Sequence, residues 1–532
     1  MQPIAVLSFS GYERFVADVA ALGETAKNKT LLSSLAGFLR RRTGVESLEG
    51  LDRSRPLGMV VATDGLAVVP IAFVPVADGE KLLRSLEKLI GKPERLEGGL
   101  WKIGREKITG FVRQRGDWAY LAQSEDNLRW LPDPAKTLGD LPKRFDVAVE
   151  FNWQHVPDVF RTMGVDLLRL AMRNNLARRP GETDAEHQLR HRGATWQFRV
   201  IEQLMSDSRR LTLGWTVDER TKQARLDLRL TPEPESGMAK QLASLRATKT
   251  RFGGLAREDS PLSLHVNWAL TASQVDKLGG ELRDSRKVVL ERIGEFAWLK
   301  SPTERQTFQQ VAGSVLDVLD KTVRTSQVDL ALAVLPSATP KEGQSADKPD
   351  AERPLTVVAA AHVGEGGSLR QAFEAVARLG EEDERFAGFR RNVAKVEGRE
   401  VHAVVFPSDQ RQIAKRLFGD ELKLYVMTTA DGLCAAIGPA ALDQMRLALR
   451  PQRAEIPPIQ LTVRLGGVAD VLERSMGPNY FTPLAAAAKG ADDRVTVTVQ
   501  AEGDELHAQL VFQEGVLKAS ASALALALFF GG

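Results

Sequence analysis

With one cysteine in 532 residues, the chain can form no internal disulfide and no multi-cysteine metal site. Cys434 lies in the apolar run Leu433-Cys434-Ala435-Ala436-Ile437, where a small buried core residue is the expected role. Cysteine poverty suits the cytosol and a disulfide-free exported protein equally. No window of about 20 apolar residues is present, so no transmembrane helix is expected. The opening Met1-Gln2-Pro3 enters a strand-like run at Ile4 without a basic n-region or an apolar h-region. That start is expected of a mature exported chain or of a cytosolic one. An excess of one charge is missing too. With 72 basic and 69 acidic residues the formal net charge is +3, and nothing global argues for nucleic acid or an acidic membrane as a partner. A Gly-x-Ser-x-Gly elbow, a Cys-x-x-Cys pair and a Ca²⁺ loop are also absent.

What is present is a globular composition. Apolar residues make up 43% and charged residues 27%, enough to bury a large core. At about 100–200 residues per domain the length predicts roughly three or four packing units.

Four short segments look alike. They are Ile4-Ala5-Val6-Leu7-Ser8-Phe9-Ser10, Phe145-Asp146-Val147-Ala148-Val149-Glu150-Phe151, Leu262-Ser263-Leu264-His265-Val266-Asn267-Trp268 and Ile459-Gln460-Leu461-Thr462-Val463-Arg464-Leu465. Most of each alternates as a half-buried strand does. Each is followed by an amphipathic helix, whose apolar residues (Val159, Phe160 and Met163 in the second) share one face. A pair of strand candidates and a further helix come next. The pairs fall at about 57–63 and 67–74, 209–218 and 223–230, 328–335 and 355–362, and 493–500 and 505–512. The first pair turns at Asp64-Gly65, a strong hairpin signal. Thr271 with Gln274, and Ser301-Pro302-Thr303-Glu304, read as helix starts.

The fold class expected is therefore α+β. Internally duplicated β-α-β-β-α units should form twisted, mainly antiparallel sheets with helices packed on one face. The first half is about 1–255, with units at 1–93 and 145–255 around a strand segment at 94–144. The second is about 256–532, with units at 256–385 and 455–532 around a segment at 386–454. Residues 336–353, rich in Pro, Ser, Lys, Asp and Glu, are expected to be a mobile hairpin insertion. Val60, Val69, Ile71, Phe73, Val147, Val149, Leu226 and Leu228 are expected in the core.

Candidate chemistry is sparse. His187 and His191 stand four apart on one helix face, with Asp184 three residues before, a spacing that could chelate a divalent ion. Gln188 stands where a zinc protease needs its glutamate, so the general base is missing. A solvated helical excursion is the plainer reading of that arginine-rich stretch. Gly364-Glu365-Gly366-Gly367 sits where a phosphate loop would, but without the Lys-Ser/Thr pair it reads as a strand-to-helix turn. The C-terminal stretch 515–530 is apolar all round. It is expected to be a buried last helix or a contact for a protein or lipid. Trp153 and Trp268 occupy equivalent strand-to-helix junctions and could line the mouth of a space between sheet and helices.

The strand pair within 57–76, ending Ile71-Ala72-Phe73-Val74-Pro75-Val76, resembles a family of uncharacterised, exported bacterial proteins. So do Arg179-Pro180-Gly181-Glu182-Thr183-Asp184 and Leu211-Thr212-Leu213-Gly214-Trp215. Members usually carry a leader peptide, so the resemblance implies a periplasmic or cell-envelope location, the cytoplasm being the alternative. It implies no activity, cofactor or functional residue. Repeat architecture without a converging polar constellation points to a non-catalytic binding or scaffolding protein. The alternatives are a hydrolase with dispersed catalytic residues and a carrier of an apolar ligand between sheet and helices.

Overall fold

A computed structural model of the protein describes all residues except 26–30, 106–107, 177, 179–181, 183, 246–248, 258–259, 337–353, 407–411, 420–421, 450–455, 477–491 and 520–532. All of the expected insertion at 336–353 but Pro336, and most of the stretch at 515–530, thus lie outside the described residues. The chain divides into two compact units, 1–239 with 502–532, and 240–501.

The first unit contains β1 (Gln2–Phe9), β2 (Leu57–Thr63), β3 (Val68–Pro75), β4 (Glu94–Arg95), β5 (Leu100–Arg105), β6 (Ile108–Arg115), β7 (Trp118–Ala122), β8 (Val147–Asn152), β9 (Ser208–Asp218) and β10 (Gln223–Pro232). The second contains β11 (Leu262–Ala269), β12 (Gln327–Pro336), β13 (Leu355–His362), β14 (Phe389–Val396), β15 (Arg399–Val405), β16 (Lys423–Thr428), β17 (Gly432–Ile437), β18 (Ile459–Arg464) and β19 (Arg494–Glu502). A last strand, β20 (Glu505–Phe512), belongs to the first unit. The pairings within each unit described below are antiparallel. Across the first unit the order is β4-β5-β6-β7-β3-β2-β1-β8-β9-β10-β20. Across the second it is β14-β15-β16-β17-β13-β12-β11-β18-β19.

Local chemistry explains the elements. Asp64 Oδ1 accepts from the backbone N–H groups of Leu66 and Ala67, both at 2.9 Å, and Gly65 supplies the positive φ of 101° that the β2–β3 turn requires. Helix Ala272–Gly294 starts on the capping box of Thr271 and Gln274. Helix Pro302–Arg324 starts on Ser301, whose hydroxyl accepts from Glu304 N at 3.1 Å. Three strands escaped the sequence pattern, β4, β5 and β14. β14 has a register shift against β15 between Arg390 and Ala394, and its outward Arg390, Arg391 and Asn392 hide any alternation.

The core of the first unit lies on one face of its sheet. Val6, Val60, Ala62, Val69, Ile71, Phe73, Tyr120, Ala122 and Ala148 pack there against Leu128, Leu138, Leu141 and Phe145 from the 126–145 connection. Short helices Pro134–Leu138 and Leu141–Arg144 bring those last three residues onto the sheet. In the second unit Ala331, Ala333, Val358, Ala360, Met427, Cys434 and Ala436 do the same against Phe252, Leu255, Ala441, Met445 and Ala448.

Of the eight expected core positions, Val60, Val69, Ile71 and Phe73 are in this core. Val147, Val149, Leu226 and Leu228 are not. They are only partly buried and belong to the other face of the sheet. Phe73 is fully buried at the centre of the first core. Phe73→Ala should therefore cost about 3–5 kcal/mol, read as a lower denaturation midpoint in urea. An unchanged midpoint would remove this face as the stabilising core.

Candidate functional site

Strand alternation sends the remaining apolar residues to the opposite face. Ladder partners place Leu121, Ala72, Met59, Leu7, Val149, Leu213, Leu228 and Ala508 in one row across eight strands of the first unit. None of them is fully buried, and Leu121 and Leu213 are about two-fifths exposed, at 38% and 41%. The second unit carries the same kind of row: Val426, Ala435, Ala359, Leu332, Leu264, Leu461 and Val497. All seven are half-buried. Rows this long normally face a second layer that removes them from water.

The rows are polar on the core side toward their far ends. In the first unit Glu150, Thr212, Arg229 and His507 share a row. His507 is buried between two carboxylates, with Nε2 2.6 Å from Asp227 Oδ1 and Nδ1 2.8 Å from Glu502 Oε1. In the second unit buried Asp329 accepts from Thr250 Oγ1 and Arg251 N, each at 2.8 Å. Burial raises its pKa, against the pull of those two bonds.

A cavity of about 530 Å³ opens on the apolar face of the first unit. Met59, Pro70, Ala72, Ile103, Gly104, Gly110 and Leu121 line it from five strands, and Leu89 and Ile90 from helix Glu87–Ile90. Thr109 and Gln123 are its polar side chains. Its volume is within the range of about 300–1,000 Å³ usual for small-molecule sites.

A second feature lies at the end of the same sheet, where helix Tyr12–Thr25 meets the start of β8. Asp18 and Asp146 are both buried and share a side-chain hydrogen bond. Arg14 Nε is 2.5 Å from Asp146 Oδ1, and Val217 N donates to Asp146 Oδ2 at 2.6 Å. Burial first, then the charge of Asp146, pushes Asp18 up to about 7, with Arg14 opposing. Sequence spacing gives no sign of this pair, because 128 residues separate its members.

The residues singled out from sequence are scattered. On helix Asp184–Asp207 the rings of His187 and His191 lie 6.1 Å apart. Arg190 forks onto Glu182 with two bonds of 2.7 Å and also lies 3.2 Å from His187 Nδ1. A guanidinium at that nitrogen opposes a bound cation. No group of three or more metal-binding side chains occurs among the described residues. Asp184 opens the helix, but its side chain is outside the described residues. Trp153 occupies the turn after β8 and stacks on Phe151 at 6.1 Å. Trp268 stands on β11 opposite Val328, on the apolar face. Neither lines the 530 Å³ cavity.

Val159 and Met163, which share one face of their helix, are 76% and 51% exposed; Leu167 and Leu170 continue that stripe. Helical periodicity finds an apolar face without saying what covers it. Burial pushes the Cys434 thiol up to about 12, which makes it inert as a nucleophile. Gly366 opens a helix, and Glu365 is ion-paired to Lys321. That turn therefore offers a carboxylate rather than a phosphate cradle. The described start of the C-terminal stretch is buried, with Leu517 against Val217 and Ala224. No helix among the described residues is long and apolar enough to cross a membrane. No family model, curated protein or solved structure matches the chain.

The acid pair sets a pH dependence with a defined sign. Asp18 titrates near 3.8 when unfolded and near 7 when folded. The native state keeps a proton that the unfolded chain releases. Its contribution to stability is complete below the unfolded value and is lost as pH rises through 7. Asp18→Asn keeps a hydrogen-bond donor toward Asp146 at every pH. At pH 8 it should be more stable than the parent by roughly 1–3 kcal/mol, with the difference closing at pH 5. Urea titrations at both pH values check this. Parallel pH profiles for the two proteins would rule out a shared proton.

Proposed function

We propose that this is a non-catalytic binding protein of the bacterial cell envelope that carries an apolar ligand against the open faces of its sheets. The observation that carries this reading is the uninterrupted apolar row of the first unit, Leu121 to Ala508, which stays partly open to water. Apolar area left in water is unfavourable by about 25 cal/mol per Å². A surface of this kind is retained where another apolar body covers it. The envelope location is supported by the family resemblance in 57–76 and 211–215.

Internal duplication belongs to the same proposal. In each unit a four-stranded meander, β4–β7 or β14–β17, adds beside the third strand. The first three strands then run in reverse order, followed by β8-β9 or β18-β19. One ancestral sheet with an apolar ligand face, copied once, accounts for both. The Asp18–Asp146 pair does not favour the hydrolase alternative. Both are buried, both are occupied by protein partners, and neither lines the cavity.

The test is extraction of protein purified from its native source without detergent, followed by mass spectrometry. Acyl-chain lipid in about equimolar amount is the expected outcome. A clean extract, together with no saturable uptake of an apolar probe, would overturn the proposal.

A further inference from the structure

Resting on the carrier reading for its choice of partner, we infer that a basic groove beside the cavity of the first unit docks the protein on an anionic phospholipid surface. The groove has a volume of about 980 Å³ and lies where the end of helix Leu31–Thr43 meets helix Glu87–Ile90. The two helices are close there: a Cβ on Gly44 would meet Lys88 Cβ at 3.2 Å, and Lys88 Nζ is 2.6 Å from Glu46 Oε1. Five basic side chains line the groove, Arg41, Arg42, Arg84, Lys88 and Lys92, against two acidic ones, Glu46 and Glu87. Local carboxylates answer part of that charge, Glu46 on Lys88 and Glu80 on Arg84. Arg41, Arg42 and Lys92 are exposed and have no carboxylate partner among the described residues.

Helix capping does not account for these charges. The last turn of Leu31–Thr43 already has donors for its carbonyls: Gly44 N donates to Arg40 O at 2.8 Å, and Thr43 Oγ1 to Leu39 O at 2.8 Å. A helix C-terminus carries about half a negative charge, which one arginine more than balances, whereas Arg40, Arg41 and Arg42 all stand in that turn. Two large apolar side chains accompany the cations. Leu39, in the same turn, is 47% exposed, and Leu89, next to Lys88, is 46% exposed. A phospholipid surface satisfies both kinds of group at once, with phosphates for the cations and the acyl boundary beneath them for the leucines. Position ties the groove to the cavity. Helix Glu87–Ile90 separates the two, with Glu87 and Lys88 lining the groove and Leu89 and Ile90 lining the cavity. Docking through the groove therefore sets the opening of the cavity against the layer that holds the acyl chains.

Docking is measured on the full chain by co-sedimentation with vesicles of phosphatidylcholine alone and of phosphatidylcholine with 30 mol% phosphatidylglycerol, about the former fraction of anionic lipid at which a basic patch is strongly attracted. One variant combines Arg41→Glu, Arg42→Glu and Lys92→Glu. A control makes the same change of net charge elsewhere, with Lys136→Glu, Arg220→Glu and Lys277→Glu, all on exposed side chains. The parent and the control are expected to bind the anionic vesicles at least tenfold more tightly than the neutral ones. The groove variant should lose at least tenfold on the anionic vesicles, and 0.5 M salt should weaken the parent similarly, since screening shortens the reach of the charges. Equal binding of both vesicles by the parent would overturn the docking surface, and so would equal losses in the groove variant and the control, which would make overall charge the cause. Native extraction reads the carrier proposal separately. Lipid in the extract without a vesicle preference overturns the docking surface alone, whereas a clean extract with groove-dependent docking overturns the carrier reading and supports the docking surface.

Discussion

A β-strand that is apolar at both parities has no side to turn toward water. In β3 the alternate residues Val69, Ile71 and Phe73 are buried, while Pro70, Ala72 and Val74 between them are only partly covered. β13 is similar, with Val358 and Ala360 buried and Val357, Ala359 and Ala361 half-open. A sheet of such strands needs a layer on each face. The chain supplies one of those layers from its own connections, through Leu128, Leu138, Leu141 and Phe145 in the first unit and Ala441, Met445 and Ala448 in the second. On the other face of the first unit its helices cover two patches, Leu83 and Ile90 on Ile103 and Val112, and Leu22 and Leu517 on Val217 and Ala224. Between those patches the other face keeps its apolar rows with less cover. Where the cavity opens follows from that imbalance.

Polar groups occupy the parts of the core side that the apolar layer does not reach. The His507 clamp between Asp227 and Glu502 lies there. So does Asp329, held by Thr250 and Arg251. Removing one partner from such a cluster leaves a buried charge uncompensated, which is far more damaging than the modest net value of the intact pair. These clusters therefore read as structural ties between distant segments. Asp146 does this most plainly, binding Arg14, Asp18 and the backbone of β9 at one point.

Period-2 alternation located most of the strands, because it is a local property written into consecutive residues. The pairs at Leu57–Thr63 and Val68–Pro75, and at Ser208–Asp218 and Gln223–Pro232, fall within a residue or two of the positions read from sequence. Capping residues Thr271 and Ser301 marked two helix starts for the same reason. Which parity faces the core is not local. In β8 and β10 the apolar parity, Val147, Val149, Leu226 and Leu228, faces the open side, while the core side carries Glu150, Asp227 and Arg229. A sequence that alternates cannot say which side its own connections will cover. The cavity was illegible for a related reason. Gly110 reads as a weak point in a strand until its neighbours show that a side chain would fit. The candidates taken from motif spacing, His187 with His191 and the two tryptophans, owe their pattern to helix and strand periodicity rather than to a shared site.

The central claim is that the open face is covered in the cell by an apolar ligand. The most direct measurement puts a photo-crosslinking amino acid at position 213, in the middle of the first unit's row, and irradiates living cells before purification. A second variant carries the same group at position 66, where Leu66 is 90% exposed at a hairpin tip. The account predicts an acyl-lipid adduct at position 213 that is absent at position 66. Adducts at position 213 that are confined to water, or to this chain's own residues, would contradict it.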